Sequence, residues 1–147
     1  MALEILKLYS LRSNFINVGG FRIGGFGEDE AVVYEYGNEN IFDPTVGGDA
    51  LATLSENNDL SIVATLTVME TSASYRRLGI LLQAQQAALR AGPIPPLAYL
   101  HTDSRNGDLV KSPECVIMNY PTLNKSRSVG EREFRLFLPY AADKIQM

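Results

Sequence analysis

Lysine and arginine are both missing from Ile23 to Tyr75, a run of 53 residues in a chain that holds 13 basic residues. Ten carboxylates fall in that run: Glu28, Asp29, Glu30, Glu35, Glu39, Asp43, Asp49, Glu56, Asp59 and Glu70. Like charges at that density repel one another, so the pattern asks for a cause. Two readings stand side by side: a surface that must not hold a polyanion, and a solvated acidic face that keeps the protein soluble. Cysteine is almost absent. Cys115 stands alone, which excludes an intrachain disulfide and a cysteine-based metal site. The opening Met1-Ala-Leu-Glu-Ile-Leu-Lys-Leu is too short and too broken by charge for a signal peptide or a membrane helix. These absences predict a chain that folds in a reducing cytoplasm without a cleaved leader.

The 147 residues fit one domain over positions 1–147, and a hydrophobic content of 46% is too high for disorder. The net charge of −4 argues against stable nucleic-acid binding, which needs a clustered basic face. Ten of the 13 basic residues lie from Arg76 onward. That asymmetry is compatible with a head-to-tail dipolar subunit, whose faces the sequence does not locate.

Residues 1–13 read as an N-terminal arm whose apolar positions fit neither helical nor strand period. Strand patterns follow. Phe15 to Val18 runs into Gly19-Gly20, a dipeptide suited to a tight hairpin because glycine tolerates positive φ. Gly24, Gly25 and Gly27 around Phe26 predict a bulge or sharp bend. Residues 30–36 predict a strand, 37–49 a long loop carrying Pro44 and Gly47-Gly48, and 50–55 a short strand before the Asn57-Asn58-Asp59 turn. Over 60–68 the alternation is strict: Leu60, Ile62, Ala64, Leu66 and Val68 share one face, and Ser61, Val63, Thr65 and Thr67 the other.

One helix is predicted over 72–91. Thr71 or Ser72 caps it, Tyr75, Leu78, Leu81, Leu82 and Leu89 form its apolar stripe, and Gly92-Pro93 ends it. Gln83, Gln85 and Gln86 fall off the stripe. Strands return over 97–102, 115–118 and 129–138, with Asn106-Gly107 as a hairpin turn. In the last strand Arg132, Phe134, Leu136 and Leu138 alternate with Glu131, Glu133, Arg135 and Phe137. The order predicts a mainly β fold with one α-helix: an antiparallel β-barrel or sandwich flanked by a single helix.

No catalytic constellation emerges. His101 lies within a strand pattern, and its neighbours Thr102 and Asp103 do not build a triad by adjacency. It reads as a structural histidine, and Cys115 beside Val116-Ile117 as a small core hydrophobe. The glycine run 19–27 lacks the spacing of a dinucleotide fingerprint and the Lys-Ser/Thr of a phosphate loop. The expectation is no enzyme, no cofactor and no metal. The loop 37–49 is long for a compact β domain and carries Ile41, Phe42 and Val46. Such apolar residues either tuck onto their own core or dock on a partner.

Four pieces in order resemble the tail-tube subunits of contractile-tailed bacteriophages. They are the glycine hairpin leading to Gly25-Phe26 and Glu28-Asp29-Glu30; Val46-Gly47-Gly48-Asp49 before Asn57-Asn58-Asp59; the strand 64–72 running into the helix at Leu78; and Asn106-Gly107 followed by Gly130-Glu-Arg-Glu-Phe134. Two positions depart from the pattern: Ala50 where glycine is expected, and Phe134 where tryptophan is frequent. The resemblance covers roughly residues 14–138. It implies a structural subunit of a virion tail, assembled in the host cytoplasm. Six copies would form a ring, and stacked rings a hollow conduit through which genomic DNA leaves, with adjacent sheets joined edge to edge around the bore. Sheath, tape-measure, baseplate and terminator proteins would be its partners, without a membrane. Within it, Glu35, Glu39, Asp59, Ser61, Thr65 and Thr67 are candidates to face the lumen, and Ile41, Phe42, Val46 and Asp49 to bridge subunits or rings. The alternatives are the tube subunit of a contractile injection or secretion system, and a small ligand-binding β-barrel.

Overall fold

Gly19 and Gly20 turn the chain at φ of 58° and 90°, the paired positive values that a two-residue hairpin demands. They join β1 (Asn14–Val18) to β2 (Phe21–Ile23) in a computed structural model that describes residues 14–27, 31–93, 97–141 and 145–146. The predicted arm 1–13 and the triplet Glu28-Asp29-Glu30 lie outside the described residues. The chain continues through β3 (Val32–Tyr36), β4 (Phe42–Val46), β5 (Ala52–Glu56) and β6 (Ile62–Met69) into α1 (Ala73–Ala91). It closes with β7 (Tyr99–Asp103), β8 (Leu109–Ser112), β9 (Val116–Ile117) and β10 (Glu131–Leu138).

The strands form two antiparallel four-stranded sheets and a separate two-stranded ribbon. Sheet one has the order β2-β1-β7-β8, sheet two β3-β6-β10-β9, and the ribbon pairs β4 with β5. The sheets do not close into a barrel, so of the two expected forms the sandwich is the one adopted. Alternation fixes its core. Ile62, Ala64, Leu66 and Val68 of β6 and Phe134, Leu136 and Leu138 of β10 are fully buried, facing Ile16, Val18, Ile23 and Tyr99 of sheet one within one cluster. Each large side chain so buried stabilises by about 1.5–3 kcal/mol. Cys115 belongs to the same cluster, and burial pushes its thiol up to about 12.

Ser72 caps the helix as its hydroxyl accepts from the Tyr75 N–H at 3.2 Å and donates to the Met69 carbonyl at 2.7 Å. Gly25 sits against this cap at φ 63°, where an added Cβ would meet the Ser72 Cβ at 2.5 Å; only glycine fits there. The bend predicted around Phe26 brings that residue into a bridge with Val68. Leu78 and Leu81 are buried and Tyr75 and Leu82 pack beside them, but Leu89 is exposed, so the predicted stripe covers only the first three turns.

His101 has a partner at each ring nitrogen. Its Nε2 lies 2.8 Å from the Asn14 Oδ1 and its Nδ1 2.6 Å from the Tyr34 hydroxyl, which in turn meets the Tyr99 hydroxyl at 2.6 Å. An amide oxygen only accepts, so Nε2 carries the proton and Nδ1 accepts from Tyr34. This polar thread stitches sheet one to β3 of sheet two. Burial lowers the His101 pKa, and the neighbouring Asp103 and Asp108 oppose that shift without reversing it.

A second polar anchor holds the segment between β9 and β10. The Arg132 side chain is buried, donating to the Glu70 carboxylate at 2.6 Å and to the Asn124 carbonyl at 3.1 Å. The Gly130 N–H and the Lys125 ammonium, each 3.3 Å away, hold the Glu70 carboxyl below the usual carboxylate range. Gln85 of α1 does similar work on β9. Its amide accepts from the Ile117 N–H at 2.9 Å and donates to the Ile117 carbonyl at 2.8 Å. The spacing argument set Gln85 off the apolar stripe and missed this.

Candidate assembly surfaces

The segment expected as the loop 37–49 is largely strand. Phe42 to Val46 pairs with Ala52 to Glu56 in a hairpin whose register runs from Phe42↔Glu56 to Val46↔Ala52. Pro44 is tolerated because a two-stranded ribbon leaves each strand with an unpaired edge. The turn is closed by Gly47 N–H to Leu51 O at 2.8 Å, and by Ala50 N–H to Gly47 O at 3.0 Å. Ala50, where the family pattern expects glycine, sits at φ 65°, the only non-glycine positive φ among the described residues.

Residues opposite one another in an antiparallel pair share a face. Phe42, Pro44, Val46, Ala52 and Leu54 therefore make one face of the hairpin apolar, interrupted at its base by Glu56 opposite Phe42, and Asp43, Thr45, Thr53 and Ser55 make the other polar. This is the pattern of a half-buried ribbon, yet all ten strand residues are exposed, Val46 by 67% and Leu54 by 63%. Of the proposed bridging residues, Phe42 and Val46 lie on the apolar face, Ile41 leads into it, and Asp49 sits in the turn, where its carboxylate accepts from the Leu51 N–H at 3.2 Å.

The lumen candidates separate into two groups. Register places Val33 beside Thr65 and Arg135, and Glu35 beside Val63 and Phe137, so Glu35, Thr65 and Thr67 lie on the face of sheet two away from the core. Glu133, opposite Thr67, and Arg135 complete that face. Their alternation in β10 was the available signal. Thr67 itself is buried and Thr65 half-buried. Asp59 and Ser61 meet at the hairpin base: the Asp59 carboxylate accepts from the Ser61 hydroxyl at 2.6 Å and from its N–H at 3.1 Å, which lowers the Asp59 pKa. Glu39 is exposed in the connection leading to β4.

A groove of about 510 Å³ runs between α1 and the segment after β9. Tyr75, Ile80, Leu82, Tyr120, Leu123 and Phe134 line it, and the Gln86 amide bonds to the Tyr120 hydroxyl across one end. Among the described residues no group of three or more His, Cys, Asp or Glu side chains is gathered as a metal site would need, and no helix is long and apolar enough to cross a membrane.

No protein-family profile and no curated protein matches the sequence. Solved structures do match. The chain superposes on a PVC sheath/tube terminator of an extracellular contractile injection system in its extended state with a TM-score of 0.61. Identity is 9%, with 97% of this chain and 99% of the other covered. It superposes on the tube-terminating cap of the anti-feeding prophage with a TM-score of 0.62 at 9% identity, covering 100% of this chain and 96% of the other. At such identity the likeness establishes a shared fold: an antiparallel sandwich with one helix, as built in contractile injection systems.

Proposed function

We propose that this chain is a structural, non-catalytic ring subunit of a contractile-tail-like particle, seated at the end of the tube. The observation that carries this reading is the end-to-end fold match with two end-of-tube proteins, a terminator and a cap, neither chain leaving more than a few per cent uncovered. Six copies form the ring, its partners are the last tube subunits and the sheath, and the exposed β4–β5 hairpin bridges neighbours. The outer face of sheet two, with Glu35, Thr65, Glu133 and Arg135, lines the bore. A second reading, a shaft subunit of a phage tail that passes DNA, is favoured by the 53 residues without a basic side chain, since an acidic bore does not hold phosphate.

The two readings differ in whether stacking stops. Negative-stain electron microscopy of the purified chain over a concentration series tests both. Closed rings that remain one or two layers deep support the terminal role. Long hollow tubes assign the chain to the shaft, and monomers at every concentration count against both.

A further inference from the structure

The hairpin and the groove match one another in chemistry. Residues 38–59 carry Glu39, Asp43, Asp49, Glu56 and Asp59 and no cation, and all five are exposed. The helix α1 and the segment 118–130 carry Arg76, Arg77, Arg90, Lys125 and Arg127 and no carboxylate, and again all five are exposed. Apolar surface divides the same way. Among the described residues 13 large hydrophobic side chains are exposed, and 11 of them lie on these two regions, so the two are where the molecule remains unfinished. One chain does not satisfy itself, because the apolar face of its hairpin and the Ile80, Tyr120 and Leu123 rim of its groove are all open.

We infer that the apolar face of the β4–β5 hairpin of one copy docks into the α1 groove of a second copy. Phe42, Val46 and Leu54 enter the groove, and the hairpin carboxylates meet Arg76 on its wall. The inference rests on the ring reading above and names its contact. Two different patches meet, so the interface is heterologous, and repetition of it closes a ring or extends a filament. Opposite charges on the two patches steer encounter and set the order of head to tail. A volume of about 510 Å³ takes a few apolar side chains, the scale of a hot-spot pocket.

Two substitutions, at the exposed Leu54 and the half-buried Gly79, break the contact from either side, and neither residue belongs to the core. Leu54→Lys spoils the hairpin face. Gly79→Phe plugs the groove: Gly79 lines it, a Cβ there meets nothing within 4 Å, and phenylalanine suits a helix better than glycine. Sedimentation velocity of each variant alone should show self-association weakened by about 30-fold or more. An equimolar mixture of the two should form a 1:1 heterodimer and nothing larger. In that mixture the intact hairpin of the Gly79→Phe chain fills the intact groove of the Leu54→Lys chain, and the reverse contact is blocked twice. Higher salt should loosen it, as paired surface charges require. Variants that assemble like the wild type, or a mixture that stays monomeric while wild-type rings form, overturn the docking and leave the ring reading standing. A wild-type chain that never associates removes both.

Discussion

Strand β6 and the β4–β5 hairpin both alternate apolar with polar residues, yet every inward side chain of β6 is buried while every residue of β4 and β5 is exposed. The body of the molecule finishes its own packing: β6 has β3 and β10 on its flanks and sheet one across the core. The hairpin has only itself, and a two-stranded ribbon is at best marginally stable in water. The same period therefore means two different things. In the body it records a contact already made, and in the hairpin an apolar face that the chain itself leaves exposed.

That contrast can be broken or sharpened by substitution. Leu66→Ala should cost the isolated chain about 2–5 kcal/mol, measured by chemical denaturation, because it empties a fully buried site. Gln85→Ala should cost about 1–3 kcal/mol, since it strands both the N–H and the carbonyl of Ile117.

A pH series adds a smaller effect confined to the body. The folded-state pKa of His101 is lowered by burial, so the unfolded chain takes up the proton first. Stability should be steady above about pH 6.5, the ordinary histidine value, and decline as pH falls below it. In His101→Gln a thermal melt at pH 5.5 and pH 7.5 should differ less than in the wild type. Ala50→Gly in the hairpin turn relieves a left-handed backbone and should stabilise by up to about 1 kcal/mol, net of the entropy that glycine adds to the unfolded chain. Leu54→Ala should change the isolated chain by less than about 0.5 kcal/mol while still weakening association. A loss as large as that of Leu66→Ala would mean that the hairpin packs on its own body after all.

The body was legible in the sequence because each local signal agreed with its neighbours. The five-residue apolar face of 60–68, the Ser72 cap, the Gly19-Gly20 and Asn106-Gly107 turns and the alternation through Phe134 all mark contacts made within the chain. The hairpin was not legible for the same reason inverted. Pro44 and Gly47-Gly48 are loop signals, Glu56 interrupts the apolar face, and no partner strand in the body pinned a register. Leu89 shows a related limit: helical spacing defines a face but not what covers it. Gln85 was within reach, seven residues after Leu78 and so in phase with the buried stripe, but its polarity hid it. Barrel and sandwich share the same strand patterns, and closure depends on edges the sequence does not mark. Of the site, Ile41, Phe42 and Val46 were expected either to tuck onto their own core or to dock on a partner, and all three are exposed on the molecule; the groove between α1 and the segment after β9 was not seen.

The Gln85 amide has a consequence for symmetry. It occupies both outward backbone groups of Ile117, so the β9 margin of sheet two cannot recruit a further strand there, while β3 at the opposite margin carries no such block among the described residues. A sheet sealed on one margin is chiral in its growth: it can be continued from one direction only. Copies cannot then be zipped margin to margin through Ile117 of β9, so any backbone pairing between copies has to use another edge.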